Sequence, residues 1–500
     1  MKIYRLSAAL IVASAFIALS SQPVSAKDKW INLCTKNLNI VSNADEGDTR
    51  KLALKLEQFR HIFQQIFNLR LEATASVTVI AFKNDGAFKP FKLLYKGKPA
   101  NMAGYFQRGS DENLIVLNIS ANEANPLTVI FHEYTHLLTS QIPQKLPLWV
   151  TEGLAELYST FDLEKNEASL GIPISSHVRF LRSQSFFPLE SLFTVNTKSP
   201  AYNESDKQGV FYAQSWALMH YLTFGNKSAR QLQLIQFIRL LGSGVDVNRA
   251  FTEAFKTDYA TMEKELRLYI GNKTYPGVTL ELTSVEGDKD IRVQPLADSE
   301  VEFYLGNLLV RQRRLDEAET RFKKAIALDS TLARPYEGLG IIALRRGKYD
   351  EAQGFFKQAL ASDSKNPLTH YYYALSLQRD DARDGGGSLR PETAKTMIEE
   401  LKTSIKLMPG FAYSYSLLGQ VYLLTGENLA EGAGMAKTAI RLEPQNKIFA
   451  IRLAQIQVRM NDFAGARKTL EPLLALDDSE IKTSAQSMLK MIDDYTRRQP

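Results

Sequence analysis

A five-residue run near position 132 carries the side chains of this sequence best suited to metal chemistry. It reads His132-Glu133-Tyr134-Thr135-His136. On a helix, histidines four residues apart project from the same face, and two imidazoles so placed can both bind one zinc ion at about 2 Å. Glu133 lies one residue round the helix, where it can accept a proton from a metal-bound water without becoming a ligand. The run therefore predicts a zinc site with Glu133 as its catalytic base.

The alternative is an ordinary amphipathic helix that binds no metal. The chain has only six histidines and two of them fall in this run, so a chance match is expected in roughly one such chain in a few hundred. A catalytic zinc site also needs a third protein ligand and an open position for water. The zinc interpretation therefore depends on a third ligand.

Glu152 is the candidate for that ligand. A second predicted helix starts at Pro147, and a short connection would return it antiparallel to the first. Glu152 would then face the histidine pair. Glu156, one turn further on, could accept the free N–H of a ligand histidine and fix its tautomer. The alternative is that both are exposed helix glutamates, as glutamates usually are.

The elements that must position these residues can be read from the sequence. Around the histidine run, Asn125 can serve as an N-cap, Pro126 suits the first helical position, and Ile142-Pro143 ends the helix. Short apolar or β-branched runs predict strands, and apolar residues at helical spacing predict helices. The strands are at residues 38–42, 77–82 and 114–118, and the helices at residues 49–69 and 208–270. Strands followed by helices predict an α+β domain over residues 27–290.

A period of 34 residues marks the C-terminal part. Identical small and large residues recur at fixed offsets in Leu305 and Leu339, Gly306 and Gly340, Ala318 and Ala352, Phe322 and Phe356, and Ala325 and Ala359. This is the tetratricopeptide (TPR) pattern, in which small residues let two antiparallel helices approach closely and larger residues fill the groove between them. We predict an all-α solenoid of about five helical pairs over residues 299–495, with a flexible loop at residues 384–388. An irregular helical bundle is the alternative.

The N-terminus has the features of a bacterial signal peptide. Lys2 and Arg5 form a basic region, an apolar stretch covers residues 6–19, and Val24-Ser25-Ala26 offers small residues where a signal peptidase reads them. The apolar stretch is shorter than the about 20 residues of a spanning helix. We therefore predict cleavage after Ala26 and a periplasmic or secreted protein without a stable membrane anchor. Cys34 is the only cysteine, so no internal disulfide can form.

The second predicted helix resembles a known family. The run Trp149-Val150-Thr151-Glu152-Gly153-Leu154-Ala155 is similar to the Asn-Glu-Gly-x-Ala helix of gluzincin metallopeptidases, with Thr151 in place of the usual asparagine. Residues 30–270 resemble, more narrowly, the peptidase MA-like family, whose members frequently carry TPR repeats. The resemblance implies a gluzincin-like fold, zinc ligands His132, His136 and Glu152, and Glu133 as base. It also implies Tyr212 as donor to the oxyanion, although a tyrosine on an amphipathic helix is as often a core residue.

Two features weaken an aminopeptidase assignment. The gap between His136 and Glu152 is shorter than in aminopeptidase N relatives, and no Gly-x-Met-x-Asn run is present to hold a free amino terminus. Met102 to Phe106 could form the sheet edge along which gluzincins lay an extended peptide, although a buried hairpin explains these residues as well.

These observations predict an exported zinc-dependent metallopeptidase in which a zinc-bound water attacks a peptide bond and the TPR array binds a protein partner or substrate. The alternative is a non-catalytic TPR scaffold, with a zinc-binding peptidase-like domain, that acts in envelope assembly. The net charge is only +6 over 500 residues, and we find no local stripe of Arg and Lys interleaved with aromatics. We therefore predict no nucleic-acid partner.

Overall fold

The computed structural model describes most of the chain after the predicted signal peptide. The described residues are 28–67, 76–109, 112–120, 126–140, 146–164, 167–183, 186–196, 199–203, 205–281, 291–362, 365–383, 389–476 and 479–497. The signal peptide, the Asn125 N-cap and the loop at residues 384–388 lie outside them, so those predictions stay untested. Within the described residues, no helix has both the length and the apolar character needed to cross a membrane.

Among the described residues, eleven strands form three sheets. The strands are β1 (Ile31–Cys34), β2 (Leu38–Ser42), β3 (Ser76–Phe82), β4 (Leu94–Tyr95), β5 (Lys98–Pro99), β6 (Gly104–Gln107), β7 (Glu112–Asn118), β8 (Asp162–Glu164), β9 (Glu167–Leu170), β10 (Val278–Glu281) and β11 (Arg292–Pro295). The largest sheet has the order β11-β1-β2-β3-β7-β6. Its three central strands β2, β3 and β7 are parallel, whereas β1, β6 and β11 are antiparallel to their neighbours. The three predicted strands are confirmed as these central strands.

Eleven helices accompany the strands in this part of the chain. They are α1 (Glu46–Phe67), α2 (Asp85–Phe88), α3 (Pro126–Thr139), α4 (Leu148–Ser159), α5 (Ser175–Ser183), α6 (Leu189–Thr194), α7 (Pro200–Asn203), α8 (Ser205–Ser228, broken at Gly225), α9 (Gln231–Gly242), α10 (Val247–Phe255) and α11 (Tyr259–Ile270), with a 3-10 turn at Lys89–Phe91. The predicted helices at residues 49–69 and 208–270 correspond to α1 and to α8 through α11. This part of the chain thus contains both strands and helices, as predicted, but they are not segregated along it, because β8 and β9 lie between α4 and α5 and β10 and β11 follow α11.

One face of the large sheet packs against α1 and α3. Alternate residues of the central strands, such as Ile40, Val79 and Ile115, are fully buried there together with Phe59 of α1 and Tyr134 of α3. Residues between them point to the opposite face, and these too are buried. Because both faces are covered, the central strands are continuously apolar rather than alternating, as parallel strands usually are.

The C-terminal part is a solenoid of five helical pairs and a final helix. The pairs are α12 (Asp298–Arg311) with α13 (Leu315–Leu328), α14 (Ala333–Arg345) with α15 (Tyr349–Ala361), α16 (Pro367–Arg383) with α17 (Pro391–Leu407), α18 (Ala412–Thr425) with α19 (Leu429–Leu442), and α20 (Ile448–Arg459) with α21 (Phe463–Leu470); a 3-10 turn (Glu471–Ala475) leads to α22 (Ser479–Arg497). A Cβ at Gly306 would lie 2.6 Å from the ring of Phe322, and one at Gly340 equally close to Phe356. The repeated glycines therefore face the repeated phenylalanines, and the predicted solenoid is confirmed.

The solenoid covers the second face of the large sheet. Val41, Ile80 and Val116 of the sheet share one buried cluster with Leu305 and Leu308 of α12. The predicted boundary at residue 290 also falls just before β11, which pairs with β1 and so belongs to the sheet. The two predicted units therefore share a core, which the sequence did not show because no local pattern relates α12 to strands more than 180 residues away.

Candidate metal centre

Packing against the sheet decides which side of α3 is buried, and therefore which way its two histidines point. Ile130, Tyr134 and Leu138 are fully buried in the core between the sheet and α1, so the side of α3 that bears His132 and His136 faces away from it. Helix α4 packs against this helix. Pro147 occupies the N-cap position of α4, where the sequence predicted that this helix starts. The connection at residues 141–145 lies outside the described residues.

The structure brings His132, His136 and Glu152 together. The Nε2 atoms of the two histidines are 3.2 Å apart, and Glu152 Oε2 lies 3.6 Å from Nε2 of His132 and 3.3 Å from Nε2 of His136. These three atoms form a small triangle. Among the described residues, these three side chains are the group that could hold a metal ion.

The triangle fits a zinc ion. Ligand bonds of 2.0–2.1 Å in tetrahedral geometry separate neighbouring ligand atoms by about 3.3 Å, and the three observed separations lie between 3.2 and 3.6 Å. Glu152 Oε2 is also buried and accepts no hydrogen bond among the described atoms. A buried carboxylate oxygen without a donor is costly unless a cation meets it. The donor set, two imidazoles and one carboxylate, is one that zinc prefers.

Charges within the site keep Glu152 ionised. Burial alone would raise the pKa of Glu152, but the neighbouring imidazoles of His132 and His136 lower it to about 2. Burial would likewise lower the pKa of His132, yet Glu152, Glu156 and Glu133 together raise it. The carboxylate is therefore ready to act as a ligand at neutral pH, whereas a metal must displace a proton from His132 at mildly acidic pH.

Glu156 contacts His132 on the ring nitrogen that points away from Glu152, as the sequence predicted. Its Oε1 lies 3.4 Å from Nδ1 of His132, and its Oε2 lies 3.1 Å from Nε2 of His177 on α5. A carboxylate at Nδ1 holds the ring so that Nε2 presents its lone pair to the site. His177 is therefore the second histidine that contacts Glu156.

Tyr202 on α7 also contacts the ligand set. Its hydroxyl donates to Oε1 of Glu152 at 3.3 Å, which leaves Oε2 for the histidine side. Sequence reasoning missed this residue as well as the role of His177. Neither lies at a helical spacing from the ligands, so no local pattern marks them.

Glu133 and Tyr212 line the same site. Glu133 is half-buried, and it lies near enough for its charge to help raise the pKa of both His132 and Tyr202. The ring of Tyr212 lies 6.3 Å from that of His132 and 6.1 Å from that of Tyr202. Burial, followed by the charge of Glu152, raises the pKa of Tyr212 far above its usual value. Tyr212 is therefore a protonated hydrogen-bond donor at neutral pH.

Gly153 explains how Glu152 and Tyr212 come to share one site. A Cβ at Gly153 would lie 2.6 Å from the carbonyl oxygen of Ser215 and 3.0 Å from Cβ of Met219, both on α8. The backbones of helices α4 and α8 therefore approach each other closely at this point. The glycine beside the third ligand is required by this crossing.

Strand β6 forms the edge of the large sheet beside α3. The carbonyl of Ala103 accepts a hydrogen bond from the amide of Asn118 at 2.8 Å. Antiparallel pairing alternates, so the backbone groups of Gly104 and Phe106 point to the outer edge. No described strand pairs with that edge, which leaves it open to an added strand.

Comparisons with known proteins match the repeats. Two family models described as tetratricopeptide repeat match residues 299–365 and 423–489, and no curated protein matches the chain. Similar solved structures include YrrB, described as a TPR protein with an unusual peptide-binding site (19% identity, TM-score 0.32, 38% of this chain and 92% of that chain). Pseudomonas aeruginosa PilF (17%, 0.33, 40% and 86%) and yeast Tom70 (16%, 0.32, 64% and 69%) are others. The C-terminal half of this chain therefore contains TPR repeats.

Proposed function

We propose that this protein is an exported zinc-dependent metallopeptidase. The observation that carries the proposal is the triangle of His132 Nε2, His136 Nε2 and Glu152 Oε2, with its buried and otherwise unpaired carboxylate oxygen. These three residues would hold the metal. Zinc bound at such a site lowers the pKa of water toward about 7 and polarises a carbonyl group.

The protein's own residues supply the remaining chemistry. Glu133 faces the ligands without joining them, so its carboxylate can take a proton from water during attack on the peptide carbonyl and pass it to the leaving amine. Tyr212, held protonated by burial, can donate to the oxygen on which negative charge develops. Tyr202 and Glu156 keep Glu152 and His132 in their orientations.

The free edge of β6 gives a place for an extended substrate. Backbone groups of Gly104 and Phe106 point outward there, beside the helix that carries the histidines. A peptide added as a further strand would be held through its backbone, so many sequences would bind alike. This supports cleavage within a chain more than recognition of a free terminus.

Measurements of zinc per chain and of casein hydrolysis test the proposal. We expect Glu133→Gln to keep zinc and lose hydrolysis, because it removes only the base. His136→Ala should lose both, since two ligands do not hold a catalytic ion tightly. Glu253→Gln, at a partly exposed glutamate of α10 whose carboxylate pairs with Arg249, is the matched control and should keep both. If Glu152→Ala retains full zinc affinity, the third ligand is misassigned.

The second candidate function is a TPR scaffold whose peptidase-like domain binds zinc without turnover. The comparisons favour this function, because both matching family models describe repeats, and such arrays present concave surfaces to protein partners. The same experiment separates the two functions. A wild-type protein that holds one zinc per chain, cleaves no unstructured protein and is indistinguishable from Glu133→Gln would be a scaffold.

A further inference from the structure

Three arginines occupy the same position in successive repeats. Arg311, Arg345 and Arg379 are spaced 34 residues apart, toward the C-terminal ends of α12, α14 and α16. These first helices of the pairs pack in succession, so the three guanidinium groups form a row along one face of the array. The row does not show as a local stripe in the sequence because its members lie in different repeats.

A cavity of about 770 Å³ opens at the start of this row. Arg311 and Arg345 line it together with Arg108, Arg313, Gln107 and Leu315. Among the described residues, none that lines this cavity is acidic. The nearby Glu112 offsets one charge, at 3.4 Å from Arg311. Gln107 is the last residue of β6. The cationic cavity therefore begins where the free edge of the sheet ends.

A second cavity, of about 450 Å³, lies further along the array between α16, α18 and α20. Its charged residues are Arg379 and Arg452, and most of the remaining wall is apolar or aromatic, including Tyr371, Leu417 and Phe449. Among the residues that the structure describes, no carboxylate lies within ion-pair distance of either arginine. An arginine in an apolar cavity without a carboxylate is incompletely compensated.

Hydrogen bonds hold the guanidinium of Arg452 in an orientation that suits an anion-binding site. Its Nη1 donates to the carbonyl and the hydroxyl of Ser416, at 3.1 and 2.6 Å, which fixes the guanidinium and leaves its other N–H groups free to donate. Burial lowers the pKa of Arg452 to about 10. A desolvated guanidinium gains more from a carboxylate than an exposed one does, because fewer water contacts are lost.

Both cavities are lined by first helices of the helical pairs, by α12 and α14 in the first cavity and by α16, α18 and α20 in the second. Arg108 of the first cavity is close enough to lower the pKa of Glu443, which burial raises. Glu443 follows α19 and interacts with Asn446, a residue that lines the second cavity. One extended segment can therefore contact both cavities.

We propose that the concave face of the TPR array binds an acidic protein segment whose carboxylates meet Arg345, Arg379 and Arg452 and whose apolar side chain enters the second cavity. The inference rests on the proposed role of the array in binding a partner or substrate. The largely apolar wall of the second cavity favours a peptide over a nucleic acid, since a phosphate backbone would need a continuous exposed stripe and has no aliphatic side chain to bury.

Fluorescence anisotropy with defined probes tests this proposal. The probe is a fluorescein-labelled, terminally blocked 15-residue peptide in which Asp or Glu alternates with Leu or Phe; its Asn and Gln counterpart and a single-stranded DNA of equal length are compared. The full chain carrying Glu133→Gln is used, so that no probe is cleaved. We expect the acidic peptide to bind about tenfold or more tightly than its amide counterpart, and more weakly as salt rises.

Substitutions then locate the site. Arg452→Met should weaken binding of the acidic peptide by about tenfold or more, whereas Arg441→Met, at an exposed arginine of α19, should leave Kd unchanged. The double variant Arg345→Gln/Arg379→Gln removes two exposed charges, so it tests the row even if Arg452→Met fails to fold. Equal affinity for both peptides, tighter binding of the DNA, or no effect of the double variant would overturn the proposal. Hydrolysis is not measured here, so this result is independent of the peptidase assignment.

Discussion

Replacing Gly153 by alanine should disturb both the stability of the protein and the proposed zinc site. The added Cβ would lie 2.6 Å from the carbonyl oxygen of Ser215, against an ordinary carbon–oxygen contact of about 3.3 Å. Helices α4 and α8 must therefore separate by about 0.7 Å, because the obstacle is backbone and not the end of a flexible side chain. Overpacking of this kind costs about 1–3 kcal/mol.

A matched control isolates this cost from the ordinary effect of glycine in a helix. Alanine is favoured over glycine inside a helix by about 1 kcal/mol. This gain opposes the overpacking cost, so the change in unfolding free energy measured for Gly153→Ala alone is the difference between the two. Gly209 is an exposed glycine of α8 whose Cβ would meet Phe180 at an ordinary 3.6 Å. Gly209→Ala should therefore be neutral or stabilising. We expect the two variants to differ by about 1–3 kcal/mol in the free energy of unfolding, measured by urea denaturation with circular dichroism.

Zinc affinity gives an independent readout of the same displacement. Zinc–ligand distances tolerate deviations of about 0.2 Å, and Glu152 is the residue next to Gly153. A separation of the helices by about 0.7 Å should thus weaken zinc binding by about tenfold or more, measured by competition with a chelating dye. If Gly153→Ala unfolds at the same urea concentration as Gly209→Ala and binds zinc like the wild type, the helix crossing does not position the ligand and the reasoning fails.

Three further predictions concern the surroundings of the site. Burial lowers the pKa of the His220 imidazole below its usual range. The unfolded chain therefore binds more protons, and the free energy of unfolding should fall as the pH drops below about 6.5. Thermal melting between about pH 8 and 5 should show this fall, and a shallower fall for His220→Gln. Glu156→Ala should weaken zinc binding by about 10- to 100-fold in a chelator titration. If its effect is no larger than that of Glu253→Ala, Glu156 does not orient His132. Ending the chain after Pro295 should give an aggregating protein, because α12 no longer covers the sheet, whereas ending it after Leu328 should restore solubility in size-exclusion chromatography.

Local spacing accounts for the part of the site that could be predicted. His132 and His136 are four residues apart on one helix, and Glu152 and Glu156 are four apart on the next, so helical periodicity and a short connection suffice to bring them together. The three central strands were recognisable for a similar reason, since each is a short apolar run that is buried on both faces.

Tertiary packing decides the rest, and no local pattern reports it. Tyr202 reaches Glu152 from 50 residues further along the chain, and His177 reaches Glu156 from 21 residues further. Each sits on its own short helix, whose direction depends on contacts with α8 and not on its own residues. The pairing of β11 with β1 spans still more of the chain. Such contacts can be found only once the sheet and α8 are in place.

Strand β6 connects the proposed zinc site to the repeats physically. On one side of the strand, Phe106 packs against the core that supports α3. On the other, the hydroxyl of Tyr105 donates to the carbonyl of Phe91 and accepts a hydrogen bond from Gln312, which follows α12. The position of the free sheet edge therefore depends on the repeat array as well as on the core between the sheet, α1 and α3. A segment bound along the array and a segment bound along β6 would be held by one continuous packed unit, so the array can align what the site receives without a hinge between them.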